Sequence, residues 1–149
     1  MEKLAVERTV WIAAPRERVW QAITDPEQVE KWFSPGTSWK LSALEVGGRL
    51  YAQGADAELY VHIIEALDPP HRIVLRSAPE PPATPEVTTY TLEEENNGTR
   101  LTLTYTGYEL MPEELRRKRM DQDGMGFAMM LENLQSHIEG RSLPYPQGF

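Results

Sequence analysis

Ile12-Ala-Ala-Pro-Arg-Glu-Arg-Val-Trp-Gln-Ala-Ile-Thr-Asp-Pro-Glu-Gln-Val-Glu-Lys-Trp-Phe33 is the stretch that decides the fold. It reads as a strand end, a helix, a sharp corner and a second short helix. Pro15 suits a first helical position, where its missing N–H costs nothing. Val19, Trp20 and Ile23 fall at i, i+1 and i+4 and make an apolar stripe. Asp25-Pro26 restarts the helix: Asp25 caps free N–H groups and Pro26 fixes the first helical φ. Val29, Trp32 and Phe33 repeat the i, i+3, i+4 spacing. Two short helices with aromatic undersides require an apolar, curved partner surface.

The remaining chain supplies that surface. Leu4 to Ile12 reads as a strand, but both parities carry apolar residues, so its inward face stays open. Trp39 to Leu44 reads as a short strand, and Gly47-Gly48 as a bend. Gly48 to Ala52 and Glu58 to Leu67 read as a strand pair, Asp68-Pro69-Pro70-His71 as a turn, and Arg72 to Ser77 as the return. The Pro-rich segment from Pro79 to Pro85 reads as a loop. Glu86 to Glu94 and Thr99 to Gly107 form a hairpin about Asn96-Asn97-Gly98, which supplies the positive φ angles such a turn needs. Its register sets Leu92 opposite Leu101, Tyr90 opposite Leu103 and Thr88 opposite Tyr105, all on one face. After Pro112 the chain turns helical, with Phe127, Met130, Leu131, Leu134 and Ile138 as its stripe. Periodicity alone gives an α+β layer structure.

Four segments in this order resemble the START-like (SRPBCC, Bet v 1-like) superfamily. They are the opening block, Val46-Gly47-Gly48-Arg49-Leu50, the strand Gly98 to Thr104, and Gly126-Phe127 with Leu131 and Leu134 after it. Within that superfamily the chain most resembles the group named after the ATPase activator of the ninety-kilodalton heat-shock chaperone. The resemblance implies a helix-grip fold over residues 1–149. In it a curved antiparallel sheet of six or seven strands surrounds one long C-terminal helix, and two short N-terminal helices close one end. It also implies a ligand cavity between sheet and helix. Ser77 and Phe127 stand where many relatives carry Trp, which predicts a roomier cavity.

Composition narrows the partners. The chain has 149 residues, the size of one domain with a proper core. It has no cysteine, which excludes disulfides and thiolate sites. A net charge of −8 argues against nucleic acid. No apolar run suits membrane insertion and no signal sequence is visible, so the reading is a soluble cytoplasmic protein, monomer or homodimer. The basic run Arg116-Arg117-Lys118-Arg119 reads as a solvated helix face offset by Glu113 and Glu114.

The expected ligand-binding residues are Trp32 and Phe33 at the helical corner, with Leu50, Tyr60, His62, Ile64, Leu75, Ser77, Tyr90, Leu103 and Tyr105 on the sheet. Phe127, Met130, Leu131 and Leu134 face them from the helix. Parity between Glu58 and Leu67 leaves Val61 and Ile63 as alternatives to Tyr60 and His62. The same residues also describe an ordinary packed core. Met125, Met129 and Met130 are expected as adaptable lining. Trp32 and Phe33 either pin the short helices or gate the cavity. No nucleophile–base pair, metal-ligand spacing or phosphate loop is visible, so no catalytic residue, metal or cofactor is expected. His71 falls in an exposed turn, and His137 lies near a helix C-terminus that favours its protonation. Glu109 and Arg76 are the charged candidates, both read as facing solvent.

Three functions follow. One is binding of a small hydrophobic or aromatic molecule, such as a lipid, polyketide or flavonoid-like compound. Another is regulation of a chaperone partner. The third is a cyclase or hydrolase acting on an aromatic or polyketide-like substrate. A cavity of about 300–1,000 Å³ would suit the first.

Overall fold

The turn Asn96-Asn97 adopts left-handed φ values of 50° and 64°, and it joins strands β6 (Val87–Glu95) and β7 (Gly98–Thr106). The register is the one the alternation dictates: Thr88 pairs Tyr105, Tyr90 pairs Leu103 and Leu92 pairs Leu101. From this hairpin the sheet grows both ways. The computed structural model describes residues 4–33, 35–77, 85–109 and 111–147. The Pro79–Pro85 loop lies outside the described residues except for Pro85.

Strand β1 (Ala5–Ile12) pairs antiparallel with β7. On the other side follow β5 (Arg72–Ser77), β4 (Glu58–Asp68), β3 (Arg49–Gln53) and the short edge strand β2 (Trp39–Leu41). All seven strands form one antiparallel sheet in the order β1-β7-β6-β5-β4-β3-β2. Gly47, at φ 91°, makes the turn into β3. Strand β4 carries two register shifts, one against each neighbour. Such bulges bend a strand and raise its twist.

The open inward parity of β1 resolves to Val6, Val10 and Ile12. Arg8 shares that parity. Its guanidinium reaches over the long helix α3 (Glu113–Ile138) and donates to the Gly124 carbonyl at 3.1 Å. A Cβ at Gly124 would meet that guanidinium, the far end of a flexible side chain that can move aside.

Helix α3 lies across the inner face of the sheet. Met130, Leu131 and Leu134 share one core with Leu92, Leu101 and Leu103. Each fully buried leucine contributes about 1.5–3 kcal/mol relative to exposure. Helix α1 (Arg16–Thr24) adds Val19, Trp20, Ala22 and Ile23 to that core. Pro15 stands one position earlier than expected, with extended ψ 158°, as the residue flanking the helix. Helix α2 (Pro26–Trp32) starts at Pro26, and the Asp25 carboxylate accepts from the Glu27 N–H at 3.0 Å. Its Val29 enters a second, smaller core with Trp39, Leu50 and Ala52.

Two buried polar contacts fix the corner against α3. The Trp32 indole N–H donates to the Ala22 carbonyl at 2.8 Å. The Asn133 amide donates to the carbonyls of Trp32 at 3.2 Å and Tyr145 at 2.9 Å, and its oxygen accepts from the Tyr145 N–H. Asn133 thereby satisfies its own burial.

Candidate functional site

Sheet and helix do not close on each other along their whole length. Beside the α2 corner they leave a cavity of about 130 Å³. Ile23, Val29, Trp32 and Phe33 wall it from the short helices, and Trp39 and Leu50 from β2 and β3. His62, Leu75, Thr88, Tyr90 and Tyr105 line it across β4 to β7, and Phe127 and Met130 face them from α3. The rings pack edge to face: Trp32 with Phe33 at 5.7 Å between centroids, and Phe33 with Trp39 at 5.6 Å. Phe127 tilts onto Tyr105 at 4.8 Å. Such pairs add about 0.5–1.5 kcal/mol each beyond area burial.

An outer cleft of about 270 Å³ adjoins this cavity, lined by Phe33, Gln122, Asp123, Gly126, Phe127 and Met130. Phe33, Phe127 and Met130 belong to both spaces, so these three side chains form the partition. The partition stands beside a polar lock. The Tyr108 hydroxyl donates to Asp123 Oδ2 at 2.7 Å, and Arg119 Nε donates to Oδ1 at 3.1 Å. Arg119 also lies 3.9 Å from the Glu86 carboxylate. The lock ties α3 to the end of β7 and the approach to β6.

The electrostatics of the wall are those of a neutral site. Burial lowers the His62 pKa, with the Tyr60 backbone and the Glu86 charge acting the other way, which favours the neutral imidazole. Burial pushes the Tyr90 hydroxyl well above the ordinary phenol range. Tyr105 and Tyr108 are raised too, first by burial and then by the Glu86 and Asp123 carboxylates respectively. No Asp, Glu, Lys or Arg lines the cavity among the described residues.

Nine of the predicted residues come together on this wall: Trp32, Phe33, Leu50, His62, Leu75, Tyr90, Tyr105, Phe127 and Met130. Ile64, Leu103, Leu131 and Leu134 sit in the packed core behind it. Ser77 stands away from the wall, where its hydroxyl accepts from the Glu86 N–H at 2.7 Å. Tyr60 points outward and is 74% exposed. The cause is the β4 bulge: Leu50 pairs His62 while Ala52 pairs Leu59, and Tyr60 takes φ 51° in between. His62 therefore faces in although Tyr60, two residues away, does not. The alternation missed Ile23, Val29, Trp39 and Thr88. Their signals were present in the helix stripes and in the hairpin face that Thr88 shares with Tyr90.

Other expectations are corrected by the same packing. The cavity is smaller than 300 Å³ because Trp39, Val29 and Phe33 fill the corner and Phe127 leans on Tyr105. Met125 is 67% exposed, and of the three methionines only Met130 lines the cavity. Trp32 is 2% exposed with its N–H satisfied, so it anchors the corner, whereas Phe33 stands in the partition. His137 has a lowered pKa, from burial first and then from the charges of Arg18 and Lys31. The basic run keeps its solvated face, with Arg117, Lys118 and Arg119 exposed, while Arg116 donates to the carbonyls of Tyr108, Glu109 and Met111 and Arg119 pairs Asp123. Glu109 is exposed and Arg76 is half-buried. Among the described residues no cluster of metal-ligating side chains occurs, and no helix is long and apolar enough to cross a membrane.

Comparison with known proteins places this geometry. No curated protein matches the sequence. Among solved structures, CalU16 from Micromonospora echinospora is similar, with 27% identity and a TM-score of 0.69 over 90% of this chain and 75% of that one. DynU16, a protein of the dynemicin biosynthetic locus, superposes with a TM-score of 0.73 at 22% identity; 99% of this chain matches 51% of that one, about half its length. The Aha1 dimer from Colwellia psychrerythraea gives a TM-score of 0.71 at 18% identity, over 92% of this chain and 97% of that one. The last two, at this level of identity, show a shared fold. Residues 13–139 match the model of the Activator of Hsp90 ATPase homolog 1-like proteins, and this chain belongs to that family.

Proposed function

We propose that this protein binds a small, uncharged, apolar or aromatic molecule in the cavity between sheet and long helix. One observation carries the reading: the 130 Å³ space is lined mainly by apolar and aromatic side chains, with His62, Thr88, Tyr90 and Tyr105 as its few polar groups. That combination is the ordinary make-up of a small-molecule site. A lipid or fused-ring polyketide exceeds the inner space and requires the partition of Phe33, Phe127 and Met130 to move, joining the cavity to the outer cleft.

The test is a thermal-shift screen of single-ring aromatics, flavonoid-like compounds, polyketide-like compounds and fatty acids. A ligand at 100 times its Kd stabilises the folded state by about 2.7 kcal/mol. For a domain of this size that raises Tm by roughly 2–8 °C. No stabilising compound in any class would reject the reading.

Family membership favours a second reading, in which the domain regulates a heat-shock chaperone of the Hsp90 type. It predicts saturable binding to that chaperone and indifference to lipophiles. A pull-down with the purified chaperone beside the same screen separates the two.

A further inference from the structure

The chemical class of the ligand follows from three properties of the cavity, and this inference rests on the ligand-binding reading above. The first is size. An apolar cavity of about 150 Å³ accommodates benzene, so 130 Å³ holds one aromatic ring. The second is charge. With no ionised side chain on the wall, a charged ligand would lose its hydration without a counter-charge.

The third property is one donor left without a protein partner. Tyr90 is 7% exposed and lines the cavity. Its hydroxyl makes no hydrogen bond to any described residue, and it is not among the polar atoms sealed from open space. Its oxygen therefore opens into the cavity. Trp39 also lines the cavity, but its indole N–H is sealed from open space and lies out of a ligand's reach. A hydroxyl donor with no protein acceptor, set in an apolar wall, is free to hydrogen-bond a ligand oxygen.

We infer that the cavity takes a neutral single-ring aromatic bearing one oxygen acceptor, a phenol in its simplest form. The ring lies among Trp32, Phe33, Leu75 and Phe127, and the oxygen accepts a hydrogen bond from the Tyr90 hydroxyl. His62 leaves this site neutral and so does not call for an anionic ligand.

The experiment is titration calorimetry of the parent protein and Tyr90→Phe with phenol, toluene and benzoate as probes. Tyr90→Phe keeps the ring and removes only the donor. Phenol is expected to lose up to about tenfold in affinity in the variant, the value of one hydrogen bond. Toluene is expected to bind both proteins within about twofold, and benzoate to bind at least about tenfold more weakly than phenol. Equal phenol affinity in both proteins, or benzoate binding as tightly as phenol, overturns the inference. Toluene binding with no Tyr90 effect on phenol overturns the inference alone; binding of neither toluene nor phenol to the parent protein overturns the ligand-binding reading as well. Should Tyr90→Phe fail to fold, the ¹³Cζ resonance of Tyr90 in the parent protein decides. It shifts with phenol and stays with toluene if the inference holds, and responds equally to both if it does not.

Discussion

The helix–sheet interface has a solid half and a hollow half. In the solid half, Leu131 and Leu134 of α3 meet Leu92, Leu101 and Leu103 of the central hairpin, and these leucines are all but inaccessible. In the hollow half, Phe127 and Met130 of the same helix meet Leu75, Thr88, Tyr90 and Tyr105 across an open space. One helix and one sheet build both. The difference lies in side-chain type. Branched aliphatic residues interdigitate, whereas rings propped edge to face on one another hold a gap open. Stability is therefore concentrated at one end of the helix and binding capacity at the other.

Trp32 stands between the two halves and is expected to give the largest effect. Its ring contributes to both the core and the cavity wall, and its N–H holds Ala22. Trp32→Ala should destabilise by about 3–5 kcal/mol in chemical denaturation. Unchanged stability with lost ligand affinity would make Trp32 a gate and not an anchor.

A matched pair of truncations probes the contrast itself. Leu103 is fully enclosed, whereas Leu75 already lacks neighbours on its cavity side. Both substitutions fall in the range of about 2–5 kcal/mol, with Leu103→Ala near the top and Leu75→Ala near the bottom. Equal losses would show that the hollow half is packed in solution.

Acid provides a smaller effect on both ends. His62 in the hollow half and His137 beside the solid half have folded-state pKa values below their unfolded value. Above about pH 6.5 both states are neutral and neither histidine alters stability. Below it the unfolded chain binds protons that the folded chain refuses, so stability falls as pH drops toward the folded-state values. Denaturation midpoints measured from pH 7.5 to 5.5 should decline, and His62→Gln and His137→Gln should each flatten the slope. A midpoint that rises on acidification would contradict the assignment of neutral, buried rings.

The solid half was legible in the sequence and the hollow half only in part. The hairpin register follows from strict alternation about Asn96-Asn97, and the helix stripe from its spacing. Strand β1 was ambiguous because both parities carry apolar residues: Trp11 lies on the outer face with its indole N–H on the Glu95 carbonyl, while Arg8 takes an inward parity and reaches Gly124, neither of which alternation signals. Tyr60 was misplaced by a bulge, which breaks the two-residue period without leaving a glycine or proline as a marker. The cavity volume depends on how far Trp39, Phe33 and Phe127 reach across from three different elements, and no single segment encodes that sum. The lowered pKa of His137 comes from burial first and then from Arg18 and Lys31 on other helices, none of which the spacing along its own helix signals.

The central claim is that the hollow half receives ligand. The most direct measurement is a set of intermolecular nuclear Overhauser effects between toluene and methyl-labelled protein. Contacts are predicted with the methyl groups of Ile23, Val29, Leu50, Leu75 and Met130, and none with Val6, Leu101 or Leu134. Contacts confined to exposed methyl groups such as Leu115 and Met125, or no contacts at saturating toluene, would contradict the account.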